Sequence, residues 1–128
     1  MLIRMDHFMD LKAAQIAMDL VEEVYQLCRK LPKEEMYGLS SQLKRSSSSI
    51  IANIAEGFGR YTYLDKAHHF TIARGECSEV VAYLLVAVRV RLLATQDIQR
   101  ALVIADQAGK LLSGLITSSR KRAVSHTP

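Results

Sequence analysis

The residues best suited to chemistry form one polar line in the first half of the chain. They recur at intervals of three or four residues, which on a helix places them along one face: Gln42, Arg45, Ser49, Asn53 and Glu56. This face could bind a ligand or an RNA backbone. It could also form a hydrogen-bonded network that fixes the register of two helices. Buried charges need such partners and these side chains can pair, so we favour the structural interpretation.

A second polar group follows on the next predicted helix. Its members are Arg74, Glu76, Ser78 and Glu79, and Arg60 lies in the turn between the two helices. The group offers charges of both signs. We expect it to complete the same face, as a groove or as a network.

No spacing of residues predicts a catalytic site, a cofactor or a metal ion. Asp65 and His68 approach the Glu-x-x-His spacing of di-metal bundles, but Asp65 is placed to cap a helix. His68 and His69 are adjacent, so they point in different directions from a helix. Cys28 and Cys77 form no C-x-x-C motif, and no Gly-rich loop precedes a Lys-Ser or Lys-Thr pair.

Length and composition indicate one small folded domain. Of the 128 residues, 49% are hydrophobic and 23% charged, with six Gly and two Pro, which excludes a disordered chain or a disulfide scaffold. Aromatic residues are 6% and Trp is absent, so no platform for stacking bases is evident. The N-terminal segment does not resemble a signal peptide, and the apolar run 80–88 is too short for a bilayer. We expect a cytoplasmic protein with no membrane contact.

The net charge of +4 is concentrated at the C-terminal end. Arg120, Lys121 and Arg122 supply three of these charges, so the rest of the chain carries only +1. The sequence pI of about 9.2 permits an anionic partner without demanding one.

Apolar residues recur with helical periodicity in four segments, at about 10–31, 38–57, 63–93 and 96–119. Long helices with short connections favour antiparallel neighbours. We therefore predict an all-α domain over residues 1–119, an antiparallel up-down-up-down four-helix bundle. A flexible basic tail is expected over residues 120–128.

Details of the four segments refine this prediction. Asp10 is placed to cap the first helix, Thr62 and Asp65 form a capping box at the third, and Asp97 suits the dipole of the fourth. Four serines, 46–49, interrupt the apolar row of the second, where small side chains let a neighbour approach closely. The first segment has two apolar rows: Leu11, Ala14, Met18, Val21, Tyr25 and Cys28 in one, and Leu20, Val24, Leu27 and Leu31 in the other.

The third segment is apolar around its whole circumference over residues 80–88. A helix that is hydrophobic on all sides is buried on all sides, and three neighbours in a bundle cannot enclose it. We expect a second copy of the chain to cover the remaining face. A closed ring of copies would leave none of these apolar faces exposed. The candidate interface residues are Val81, Tyr83, Leu85 and Val86.

Three motifs carry a family resemblance: YGLSSQLKR at 37–45, NIAEG at 53–57 and FTIARG at 70–75. Over about residues 8–119 the chain resembles the bacterial four-helix-bundle proteins named after the intervening sequences of 23S ribosomal RNA genes. The resemblance implies a long antiparallel bundle that assembles into a ring-like homopentamer. These proteins are similar to the accessory protein of diversity-generating retroelements, a basic pentameric barrel that binds nucleic acid and a reverse transcriptase. The residues that match the family motifs and the polar network are Gln42, Arg45, Asn53, Glu56, Gly57, Arg60 and Glu79.

One departure from the family pattern bears on charge. Glu76 stands where the family often has Ser, and its negative charge beside Arg74 argues against anion binding at that arginine.

We expect a non-enzymatic homo-oligomer, most simply a pentamer, that binds RNA or a nucleoprotein partner through basic side chains. Such contacts would give little sequence preference and a steep salt dependence. The alternatives are a protein-interaction scaffold with no nucleic-acid role, and a bundle that binds a small molecule near Arg45, Asn53 and Glu56. The candidate nucleic-acid contacts are Lys44, Arg45, Arg60, Arg74, Arg89, Arg91, Arg120, Lys121 and Arg122.

Overall fold

The computed structural model describes residues 7–125, which contain four α-helices, two short 3-10 turns and no strand. The predicted all-α class is confirmed. No helix in this range is both long enough and apolar enough to cross a membrane. The helices are α1 (Lys12–Cys28), α2 (Leu39–Gly59), α3 (Tyr63–Arg89) and α4 (Thr95–Ser125), and the 3-10 turns are His7–Asp10 and Lys33–Glu35.

The four helices surround one apolar core. Helix α1 contacts α2 and α4, and α3 contacts the same two helices, so α1 and α3 lie diagonally opposite each other. Each helix contributes fully buried aliphatic side chains, and each such burial stabilises the fold by about 1.5–3 kcal/mol. The largest of these are Leu20 on α1, Leu43 and Ile50 on α2, Leu84 on α3 and Leu112 on α4.

On α1, the second of the two predicted rows faces the centre of the core. Leu20 and Val24 are completely buried, whereas Met18 and Tyr25 of the first row are 42% and 40% exposed. Ala14 and Cys28, also of the first row, are buried, so the first row lies at the edge of the buried stripe and only some of its members reach the core.

Two of the three predicted helix starts are confirmed. The Thr62 hydroxyl accepts a hydrogen bond from the Asp65 N–H (3.1 Å), and Asp97 lies in the first turn of α4. Asp10 does not cap α1, because the N-cap residue is Leu11, which makes no capping hydrogen bond through its side chain.

Several predicted helix ends differ from the structure. Helix α3 ends at Arg89 rather than near residue 93. Two residues later, Arg91 adopts a left-handed backbone conformation with φ of 66°, and the chain reverses direction there. Helix α4 continues to Ser125, so Arg120, Lys121 and Arg122 belong to its last turns and the predicted tail is wrong over residues 120–125. Residues 126–128 lie outside the described range.

The buried serines of α2 bond to their own helix. Ser46 and Ser47 have no exposed surface, and their hydroxyls donate to the carbonyls of Gln42 (2.8 Å) and Lys44 (3.2 Å). Their polar atoms are therefore satisfied without a partner on another helix. This leaves two small side chains on the face that α2 presents to its neighbours.

Candidate functional site

The polar line of α2 meets α3 at Arg45. Its guanidinium forms an ion pair with Glu79, and Nη1 lies 3.7 Å from Oε2 of Glu76. The hydrogen bond to Glu79 and the negative charges of both glutamates raise the pKa of Arg45. Arg45 therefore stays charged and links the two helices.

Gln42 and Tyr83 extend this contact by one turn. The Arg45 Nε–H donates to Oε1 of Gln42 (3.2 Å), and the Tyr83 hydroxyl lies 3.3 Å from the same oxygen and 3.4 Å from Oε1 of Glu79. Tyr83 thus belongs to the network between α2 and α3, a role that was not predicted from the sequence, and its place in an interface stays a prediction. Its position four residues after Glu79 on one helix face was the available signal.

Glu76 is the least satisfied member of this network. Its side chain is 15% exposed, and Oε2 is buried with no hydrogen-bond partner. Burial raises the pKa of Glu76, and the nearby charge of Glu79 raises it further. Two carboxylates therefore share one guanidinium, which makes the charge on Glu76 the least favourable in the cluster.

Further along α2 the polar line contacts α3 again. The Asn53 amide donates to the carbonyl (2.9 Å) and the hydroxyl (3.1 Å) of Ser49, and its Oδ1 lies 3.4 Å from Nδ1 of His69. At the end of the line Glu56 pairs with Arg60 at 3.3 Å. These contacts within the cluster support the structural interpretation of the polar line.

Gly57 allows α2 and α3 to pack closely together. A Cβ atom at this position would lie 2.7 Å from Cε1 of Phe70 and 3.2 Å from Cβ of His69. Only glycine allows α2 and α3 to approach this closely. Helix α2 continues to Gly59, and Lys66 caps it by donating to the carbonyls of Phe58 (2.7 Å) and Gly57 (3.4 Å).

The predicted polar group of α3 divides between two neighbours. Glu76 and Glu79 face α2, but Arg74 faces α4, where its Nη1–H donates to the Ser113 hydroxyl (3.3 Å). Ser78 lines a cavity on the same side as Arg74. The expectation that all four residues complete one face with the polar line of α2 is therefore wrong.

The basic residues near α2 have partners within the chain. Arg45 and Arg60 pair with glutamates, as described above. The Lys44 ammonium lies 5.0 Å from the centre of the Tyr25 ring, a cation–π distance. The side chains of all three residues therefore contact other residues of the chain, and the charges of Arg45 and Arg60 are balanced by glutamates.

The other basic candidates form two groups. Arg89 and Arg91 are exposed at the connection between α3 and α4, and neither forms an ion pair within residues 7–125. Arg120, Lys121 and Arg122 follow one another on the last turns of α4, where the Arg122 guanidinium lies 5.7 Å from the centre of the Tyr63 ring. With about 1.5 Å of helix per residue, the length of α4 separates the two groups by about 40 Å.

The candidate interface residues do not share one surface. Val81 lines the cavity between α3 and α4, whereas Tyr83 contacts α2. Leu85 and Val86 remain on the outer face of α3, 53% and 47% exposed, and Val90 beside them is 57% exposed. The outer face therefore consists of Leu85, Val86 and Val90.

The titratable residues considered for chemistry are dispersed. Within residues 7–125 no group of three or more His, Cys, Asp or Glu side chains is arranged to hold a metal ion. Burial raises the pKa of Cys28, and it raises the pKa of Cys77 to about 12, so both remain protonated thiols at neutral pH.

The described residues define a class of protein: an all-α four-helix chain whose conspicuous polar residues mostly pair with one another. Over residues 9–114 the chain matches the model of the family described as 23S rRNA-intervening sequence protein, and it belongs to this family. The resemblance seen in the sequence motifs is thus confirmed.

A solved structure gives the same fold. The chain is similar to a protein of unknown function from the S23 ribosomal protein family of Bacteroides thetaiotaomicron, with 23% identity and a TM-score of 0.75. The similarity covers 82% of this chain and 95% of that one. No curated protein matches the chain.

Proposed function

We propose that this protein is a non-enzymatic homo-oligomer whose copies form a ring, most simply a pentamer, and that the ring binds RNA or a nucleoprotein. Each subunit is an up-down-up-down bundle. Contacts between opposite ends of α2 and α3 support this arrangement: Gln42, early in α2, contacts Tyr83, late in α3, and Asn53, late in α2, contacts His69, early in α3.

The outer face of α3 is the observation that carries the assembly. Leu85 and Val86, in the last turns of α3, and Val90, which caps it, are about half exposed, and exposed aliphatic side chains there add nothing to the stability of a single chain. Covering them removes apolar surface from water, at about 25 cal/mol per Å². A closed ring does this for every copy at once.

RNA binding is supported by the basic residues that lack an acidic partner. Arg89 and Arg91 at one end, and Arg120 and Lys121 near the other, carry charge that no ion pair within residues 7–125 offsets. Unpaired surface cations bind phosphates by releasing counterions.

The use of the polar groups supports a non-enzymatic role. Arg45 pairs with Glu79, Asn53 bonds to Ser49, and Glu56 pairs with Arg60, so the polar side chains of α2 have partners within the fold. The network therefore fixes two helices in register, and it has little capacity left to bind a substrate.

Light scattering coupled to gel filtration tests the assembly. We expect a mass several times 14.3 kDa for the unaltered chain and the monomer mass for Val86→Asp, with unchanged helical circular dichroism. The matched control is Val103→Asp, at a 57% exposed valine of α4 that lies off this face. A monomeric unaltered chain would contradict the proposal.

Binding of a labelled single-stranded RNA tests the partner. We expect affinity at 50 mM salt that falls steeply by 200 mM, with a slope that reports the number of phosphates contacted. Absence of binding at 50 mM salt would overturn the RNA role and leave the assembly standing.

A further inference from the structure

The seam between α3 and α4 is open along its outer side. A cavity of about 570 Å³ lies there, lined by Arg74 and Ser78 from α3 and by Asp106, Lys110 and Ser113 from α4. Ser113 also lines a second, open cavity of about 620 Å³ along the surface of α4, whose lining residues all belong to α4 and include Lys121 and Arg122. We call these two cavities together the α3–α4 trough.

Arg74 lines the first of the two cavities, where it contacts α4. Its side chain is half-buried, its Nη1–H donates to the Ser113 hydroxyl (3.3 Å), and no carboxylate within residues 7–125 forms an ion pair with it. A guanidinium has five N–H donors, and a single bond to a neutral hydroxyl leaves most of them without a protein partner. Such a group is suited to receive an oxyanion in bidentate fashion.

The negative charges near Arg74 are directed elsewhere. Glu76 is only two residues away, but it faces α2 and lies beside Arg45. Asp106 lines the trough, but its carboxylate pairs with Lys110 at 3.0 Å. The Cys77 thiol, with its pKa near 12, adds no charge. Glu76 contacts Arg45 on α2 and Arg74 contacts Ser113 on α4, so the two side chains lie on different faces of α3 and Glu76 does not pair with Arg74.

Hydroxyl groups line the rest of the trough. Ser113, Thr117 and Ser118 follow one another on α4 ahead of Lys121. Serine and threonine hydroxyls and basic side chains are the usual donors to phosphate oxygens. From Ser113 to Lys121 the helix rises about 12 Å, which is long enough to contact more than one phosphate of a nucleic-acid strand.

We propose that the α3–α4 trough is a phosphate-binding site, with Arg74 as its anchor and Ser113 and Lys121 as further contacts. The proposal deepens the proposed RNA role, because it assigns the backbone contacts to one place. The same chemistry would accept a free phosphate, so the experiment has two arms.

In the first arm, a fluorescent oligouridine is titrated with the unaltered protein and with variants at 50 mM salt. We expect Arg74→Gln to weaken binding about tenfold, as for loss of one charge-assisted contact, and to lower the salt slope by about one. Arg29→Gln is the matched control, since it removes the same charge from an exposed site at the end of α1, outside the trough and outside the candidate contacts, and we expect less than a twofold effect. Lys121→Glu, at an exposed position, tests the trough independently of any effect of Arg74 on folding.

In the second arm, inorganic phosphate is added while the arginine Nε–H signals are followed by NMR. A shift of the Arg74 signal that is absent in Arg74→Gln supports the site with free phosphate as ligand, even if the protein binds no RNA. RNA binding that Arg74→Gln and Lys121→Glu leave unchanged would overturn the trough while the RNA role stands. Failure of both RNA and phosphate to bind would overturn both.

Discussion

Helix α3 forms one seam with α2 and another with α4, and the two seams use charge in opposite ways. Towards α2, Glu76 and Glu79 share Arg45 and the helices approach closely at Gly57. Towards α4, the one hydrogen bond of the Arg74 side chain to residues 7–125 is with the Ser113 hydroxyl, and a cavity remains open. A charge that the fold already satisfies supports stability, whereas one that it leaves open is available to a ligand.

Glycine shows the same contrast. At Gly57 a Cβ atom would collide with Phe70, but at Gly109 in the trough a Cβ atom would meet nothing within 4 Å. A glycine inside a helix costs about 0.5–1 kcal/mol relative to alanine. The first glycine is required by packing, and the second is not required by anything in the subunit.

The largest effect is expected at the seam between α2 and α3. Gly57→Ala should destabilise the fold by about 2 kcal/mol, because Phe70 is buried and cannot move away without strain. Urea denaturation of the two proteins measures the difference. Gly59→Ala, where a Cβ meets nothing within 4 Å, is the control. Equal stability of Gly57→Ala and the unaltered chain would show that the close approach is not a constraint.

The next effect comes from the shared guanidinium. Arg45→Met should destabilise the fold less than Gly57→Ala and more than Arg60→Met, because it leaves two adjacent carboxylates without a cation; the half-exposed position of Arg45 keeps the cost below that of a fully buried pair. Arg60→Met removes an exposed pair with Glu56 and should cost less than about 0.5 kcal/mol. Denaturation midpoints at low salt distinguish the two, and similar losses would contradict a special role for Arg45.

At the seam between α3 and α4, a glycine-to-alanine substitution is expected to increase the stability of the subunit. Gly109→Ala should stabilise the subunit by about 0.5–1 kcal/mol, because alanine favours the helix and its methyl group meets no neighbour. The thermal midpoint should rise accordingly. If stability falls instead, something other than the subunit packs against Gly109, and the contrast between the seams would need revision.

The sequence predicts the helices better than their contacts. Periodicity identifies four helices and the buried rows through Leu43 and Leu84, because these patterns are local. It does not choose between the two rows of α1, since that depends on how the neighbours are placed. It also fails to separate Arg74 from Glu76, because a difference of two residues turns a side chain by about 200° and sends it to another helix. Which neighbour each side chain meets is a tertiary fact.

The smallest predicted effect concerns how folding stability depends on pH through Glu76, at the seam between α2 and α3. The raised pKa of Glu76 means that the folded state binds a proton more readily than the unfolded state. As pH rises from the ordinary glutamate pKa through the raised one, the unfolded chain releases this proton first, so folding stability falls across that window.

Glu76→Gln removes this titration. The stability of the variant should fall less over the same range and exceed that of the unaltered chain by less than about 1 kcal/mol at pH 7. Urea denaturation at a series of pH values measures both. Glu56→Gln, which alters an exposed carboxylate paired on its own helix, serves as the control and should leave the slope unchanged. A Glu76→Gln curve parallel to that of the unaltered chain would mean that Arg45 satisfies both carboxylates, and that the seam holds no unfavourable charge.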